Sequence, residues 1–315
     1  MKTWKRWALG IVGLVVAALV AVPAVLLRKG KELPPAPPHA RAEPALSNLP
    51  RIKVCWVESG HALPMPSTAS ALLIRHPAGD VLVDAGDSSR FDEEVANHPF
   101  ADRLWLKSFP RQLMPRGPFA DKLRALGVDP SRLTVLLTHS HLDHAGGLMD
   151  LPKEVQVRIP QAEIDFLRAR QGTLDRAYIP AHAERILAQA RPIAFEPRPY
   201  ETFDESADLF GDGSVVLVPL AGHTPGSMGI FVNVSPTRRL MHAGDTFNTM
   251  AELSPPRAKA FIMEATDFDP PRAHQVVSRL AQLHQTVPSL KLIPAHDRHA
   301  YEAVFGEPGR CLEAE

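Results

Sequence analysis

Cysteine is nearly absent from this 315-residue chain: only Cys55 and Cys311 occur, near opposite ends of the stretch they bracket. Neither has a second cysteine at metal-binding spacing, which excludes a cysteine-based zinc module. What remains is a disulfide, if the chain works in an oxidising compartment, or two separate thiols. Net charge is absent too, with 35 basic residues against 35 acidic ones. No global field therefore draws nucleic acid to the surface, and no Lys/Arg run is long enough to track phosphates. No internal repeat stands out. What the chain does have is histidine, 14 residues, and a concentration of proline near its start.

Charge is also missing from Trp7 to Leu27, a run of 21 residues. That length crosses a hydrocarbon core of about 30 Å as a helix. The expectation is a membrane anchor over residues 1–31, a single-pass transmembrane helix in the lipid bilayer. The rival is a signal peptide cut near Ala24, since Val22-Pro23-Ala24 offers small residues after Lys2, Lys5 and Arg6. The apolar run continues through Val25-Leu26-Leu27, which favours the uncleaved anchor. Arg28, Lys29 and Lys31 nearly balance the basic residues on the other side, so the positive-inside rule decides little. Short N-termini usually stay inside, which puts the domain in the periplasm or another extracytoplasmic space. Residues 32–50 carry Pro34, Pro35, Pro37, Pro38, Pro44 and Pro50 and read as an extended linker. Residues 51–315 then form one catalytic domain.

Within that domain, the most informative stretch is His139-Ser140-His141-Leu142-Asp143-His144, directly after the apolar strand pattern Leu133–Leu137. On extended backbone His139 and His141 point the same way. Asp143 and His144 lie past the turn and can serve a second ion. Imidazole and carboxylate without thiolate suit zinc, iron or manganese and argue against a closed structural zinc site. Gly146-Gly147 fits a tight exit. Further candidates follow other strand patterns: His223 after Val215–Leu220 with Gly222 and Gly226 around it, Asp245 after Arg239–Ala243, and His296 with Asp297 after Leu290–Pro294. The other nine histidines fit no ligand pattern; His242 and His299 read as structural, and Asp297 as the cap of a last helix.

The series His139, His141, Asp143, His144, His223, Asp245, His296 resembles the signature of the metallo-β-lactamase superfamily, and Val81–Gly86 is similar to that family's first motif. The resemblance spans roughly residues 52 to 300. It implies an α/β fold, an αββα four-layer sandwich with the metal loops along one edge, and two divalent cations, zinc foremost with iron or manganese as alternatives. His139, His141 and His223 would hold one metal, Asp143, His144 and His296 the other, with Asp245 bridging and Asp84 structural beside the site. Two cations about 3.5 to 4 Å apart share a water and deliver a bridging hydroxide to a carbonyl or phosphoryl centre. Asp143 and Asp245 are the catalytic carboxylates in this reading, ligating and, for Asp143, receiving a proton.

The bridging Asp245 and the ending Leu292–Asp297 are similar to the lactonase and organophosphate-hydrolase branch, although lactonases often carry a tyrosine where this chain has Asn248. The expected substrate is a small lactone, ester or phosphoester with an apolar acyl or aryl part, and nucleic acid is not expected. Residues 88–118, with Phe91, Phe100, Trp105, Phe109 and Met114, form either an apolar lid or an ordinary insertion; Phe247, Phe261 and Met263 offer a second wall. Alternatives are a mononuclear iron persulfide dioxygenase using His139, His223 and Asp245, a glyoxalase II-like thioesterase, and a non-catalytic metal-binding sensor.

Overall fold

The computed structural model describes residues 28–62, 67–96, 98–107, 117–170 and 177–314. In chain order the strands are β1 (Lys53–Ala62), β2 (Ser67–Arg75), β3 (Val81–Val83), β4 (Thr134–Leu136), β5 (Gln156–Pro160), β6 (Ala190–Ile193), β7 (Ala207–Asp208), β8 (Val215–Pro219), β9 (Met228–Ser235), β10 (Arg238–His242), β11 (Leu290–Ile293) and β12 (Cys311–Glu313). The helices are α1 (Phe91–Val95), α2 (Phe100–Lys107), α3 (Phe119–Ala125), α4 (Leu142–Ala145), α5 (Gln161–Ala169), α6 (Pro180–Gln189), α7 (Phe261–Glu264), α8 (Pro270–Thr286) and α9 (Arg298–Phe305). One sheet runs β12-β1-β2-β3-β4-β5-β6 and the other β11-β10-β9-β8-β7.

Strand periodicity explains the layers. Along β1, Val54 and Trp56 enter a core shared with Val215, Leu217, Ile230 and Val232 of the second sheet. The alternate residues, Cys55 and Val57, pack with Phe119 and Leu123 of α3 and Ile164 and Leu167 of α5. In β8, Val216 and Val218 turn away from the first sheet towards Leu280 and Leu283 of α8. Side chains that alternate between two buried faces require apolar residues at every position, which is why these strands read as continuous apolar runs. The result is helix, sheet, sheet, helix, the sandwich expected.

The transmembrane part of that expectation is corrected. Among the described residues no helix is long and apolar enough to cross a membrane. The expected span, Trp7–Leu27, lies outside the described residues, and the fold class of the described residues is the sandwich alone. An uncharged run of sufficient length is a condition for a span and does not by itself place a helix.

The proline-rich segment expected as a linker is docked on the domain where it is described. Leu33 is buried against Phe203, Leu253 and Ala258, and its N–H donates to Pro256 O at 2.8 Å. Ala42 exchanges two backbone hydrogen bonds with Glu201, and Arg41 pairs with the buried Glu201 carboxylate at 2.5 Å. Proline fixes an extended backbone, which can lie along a surface as readily as span a gap. Cys55 and Cys311 face each other across β1 and β12 and form a disulfide.

Candidate metal centre

Five strands end at one edge of the sandwich and deliver Asp84 (after β3), His139 (β4), His223 (β8), Asp245 (β10) and His296 (β11). Strands β3 and β4 are parallel neighbours, as are β10 and β11, so their carboxyl ends open on the same side. The two halves are stitched at the site by Met228 N–H donating to Thr138 O at 3.0 Å. His141 stands at the N-terminus of the short α4, and that helix turns Asp143 and His144 towards a second position. A turn of helix thus does the work that the sequence suggested for a loop.

The glycines act by close approach. A Cβ on Gly146 would lie 2.4 Å from Ser88 N, and one on Gly147 would lie 2.1 Å from Ala85 O. Neither is among the positive-φ residues, so the space they leave, rather than an unusual turn, explains the pair. Gly222 approaches Ala273 of α8 in the same way.

The seven expected residues come together in two groups: His139, His141 and His223, and Asp143, His144, Asp245 and His296, each with its donor atoms within 4.8 Å of one another. In the first group His141 Nδ1 lies 3.1 Å from His139 Nε2 and 3.0 Å from His223 Nε2. Two nitrogens bound at ~2.0–2.1 Å to one tetrahedral ion stand about 3.3 Å apart. In the second, His296 Nε2 is 3.3 Å from Asp143 Oδ2 and 3.2 Å from Asp245 Oδ1. Asp245 lies between the groups, with Oδ1 3.2 Å from His144 Nε2 and Oδ2 3.6 Å from His223 Nε2.

The electrostatics differ between the groups. Burial and the neighbouring imidazoles hold His139 and His141 well below the ordinary histidine range, neutral and ready to donate lone pairs. Burial also opposes charge on His144, but Asp245, Asp84 and Asp143 outweigh it and push its pKa well up. Burial works against ionised Asp245, and His296 and His144 reverse it, holding the carboxyl well below its usual range. His144 Nε2 and Asp245 Oδ1 are buried without a well-formed hydrogen bond although they face each other. Orphaned buried donor atoms and clustered carboxylates are what a divalent cation satisfies. The residues therefore fit two cations.

Several residues support the clusters from behind, and of these only Asp84, within Val81–Gly86, is marked in the sequence. Asp84, at φ 58°, accepts from Thr138 N–H at 2.8 Å and faces His144 Nδ1 at 2.8 Å. Fully buried Glu163 accepts from Ser140 N–H at 3.0 Å and Gly226 N–H at 2.9 Å, tying the two loops of the first group. Asp267 faces His223 Nδ1 at 2.7 Å. Glu163 and Asp267 carry no mark in the sequence and emerge only with the fold.

The cavity beside the clusters is about 50 Å³ and is walled by Trp105, Leu106 and Leu142 on one side and Met263 and Thr266 on another. Trp105 and Leu106 belong to α2, so the 88–118 insertion contributes a wall. It is anchored by Phe91, Val95 and Leu106 packing on Leu142, between two of the clustered residues. Phe91 is buried in that anchor, Phe247 lies in the core behind the second sheet, and Phe100 and Phe261 are exposed; Phe109 and Met114 lie outside the described residues. His242 is buried at the end of β10 against Tyr301, His299 is exposed, and Asp297 caps α9.

A family model described as the metallo-beta-lactamase superfamily matches residues 65–298. The N-acyl homoserine lactonase AttM of Rhizobium radiobacter is 23% identical over 232 residues, covering 73% of this chain and 81% of that protein. "Probable metallo-hydrolase Rv2300c" of Mycobacterium tuberculosis is 26% identical over 272 residues, 80% of this chain and 83% of that protein. Among solved structures, AidC, a dizinc quorum-quenching lactonase in complex with its N-hexanoyl-L-homoserine product, superposes with a TM-score of 0.55 at 16% identity, over 81% of this chain and 90% of that one.

Proposed function

The chain belongs to the metallo-β-lactamase superfamily, and from that premise we propose that it is a binuclear zinc hydrolase that opens the ring of small acyl lactones. The observation that carries the reading is Asp245, whose two oxygens face His223 of one group and His144 and His296 of the other. A carboxylate so placed serves two cations at once, which supports a binuclear centre over a mononuclear one. When bound, the pair supplies Lewis acidity and water activated near neutral pH.

The rest of the work falls to the chain's own side chains. A group of three imidazoles without a carboxylate faces a carboxylate-rich group, so the site presents two cation positions of unlike charge. Asp143, on α4 and 3.3 Å from His296 Nε2, is placed to take up a proton beside the reacting centre. Trp105, Leu106 and Met263 exclude water and offer apolar contact to an acyl chain. The lactonases among the relatives and structural neighbours support the lactone as substrate. The Cys55–Cys311 disulfide supports work outside the cytoplasm, where disulfides persist.

The test is proton release on adding N-acyl homoserine lactones, aryl esters and phosphotriesters to zinc-loaded protein. Lactone opening well above the rates for the other two classes is expected. Faster turnover of an ester or phosphotriester would replace the substrate while keeping the hydrolase, and no hydrolysis at all would overturn the reading.

A further inference from the structure

His223 is held from behind by a buried ion pair. Asp267 Oδ1 lies 2.7 Å from His223 Nδ1 and 2.6 Å from Lys259 Nζ, and both charged side chains are almost fully buried, at 2% and 3% exposure. The chain between these two residues is α7 with its flanks, which brings Met263 and Thr266 to the cavity. Just beyond it, Phe268 N–H donates to His223 O and Asp269 N–H to Gly222 O, each at 2.9 Å. The wall of the pocket and a side chain of the first group thus share one anchor.

We propose that Lys259 and Asp267 are positioning residues that latch the 260–266 wall to His223, so that pocket wall and metal ligand are set as one unit. This rests on the binuclear reading above. Lys259 Nζ also stands 3.1 Å from His223 Nδ1, but its shorter contact is to Asp267 at 2.6 Å, and Asp267 is the acceptor that both neighbours share. With Asp267 accepting the Nδ1 proton, the Nε2 lone pair faces His141 and Asp245. Lys259 supplies the counter-charge that keeps a carboxylate tolerable at this depth, and its ammonium, at the head of the wall, pins the segment from its other end. A shift of the wall on substrate binding would be felt at His223 through these two side chains and through the two backbone hydrogen bonds.

The test uses whole protein, Zn²⁺ and a competing chromogenic chelator, with amide exchange read on the same zinc-loaded samples. Asp267→Asn keeps the shape but removes the charge, and is expected to weaken one of the two zinc ions about 10- to 100-fold while leaving the other unchanged. The double variant Asp267→Asn/Lys259→Met, which strands no buried lysine, should show the same selective loss. Lys259→Met alone should speed exchange across residues 260–266 in the zinc-loaded protein, which a general loss of stability would not confine there. Both Asp267 variants holding two zinc ions as tightly as the unmodified protein would overturn the latch, as would unchanged exchange in the wall. Unmodified protein that holds no zinc would overturn the functional reading itself.

Discussion

Asp84 Oδ2 lies 2.8 Å from His144 Nδ1, and Asp84 reaches it from a left-handed backbone conformation, φ 58°. Such a conformation is costly for a residue with a side chain and persists where the surroundings hold it. Here Thr138 N–H and Thr138 Oγ, at 2.8 and 2.9 Å, both donate to the carboxylate. Asp84 therefore fixes the ring orientation of His144 without joining the cluster. Asp84→Asn should weaken the second-group metal about 10- to 100-fold, measured by chelator competition, with the first-group metal retained. Equal loss of both ions would count against this assignment.

Trp105 stands at the cavity on a helix anchored through Leu142. Trp105→Ala should raise KM for an acyl lactone about 10-fold, from roughly 1–2 kcal/mol of lost apolar contact, with kcat changed far less. Steady-state kinetics against chain length checks it, since the penalty should grow as the acyl chain lengthens.

Leu33 anchors the N-terminal strap at 5% exposure. Leu33→Ala should cost about 2–5 kcal/mol, read by denaturant unfolding. A strap that merely tethered the domain would lose nothing, so an unchanged midpoint would refute the docking.

His242 is buried, with Nε2 2.9 Å from Tyr301 Oη and Nδ1 accepting from Gly244 N–H at 3.3 Å. Burial lowers its pKa to about 4, from 6.5. Between those values the unfolded chain takes up a proton that the folded protein refuses, so stability falls as pH drops through that window. The full loss is about 3 kcal/mol. His242→Gln should flatten this part of the pH dependence in metal-free protein, measured as unfolding free energy at pH 7 and pH 4.5. An unchanged slope would place the titration elsewhere.

How much of this was legible in the sequence depends on distance along the chain. His139, His141, Asp143 and His144 fall within six residues after an apolar strand, and His223, Asp245 and His296 each follow another, so clusters defined by strand ends could be read directly. Asp297 as a cap was equally local. The backing residues were less so: Asp84, which meets His144 across 60 residues, was marked only by the resemblance of Val81–Gly86 to a family motif, and Asp267, which meets His223 across 44 residues, by nothing in its neighbourhood. The docking of Leu33 and Ala42 was not legible, because proline signals extension and says nothing about what the extended chain lies against. The membrane helix rested on an uncharged run alone, and the cysteines paired only once β12 closed against β1.

The central claim is that two cations, shared by Asp245, are needed for hydrolysis. The most direct measurement is turnover of an acyl lactone by metal-free protein during stepwise addition of zinc, with bound zinc counted at each step. Activity should appear with the second equivalent, and Asp245→Asn should fall at least about 100-fold, beyond the loss typical of a residue that only backs a ligand. Full activity at one equivalent, or in the Asp245→Asn protein, would contradict the account.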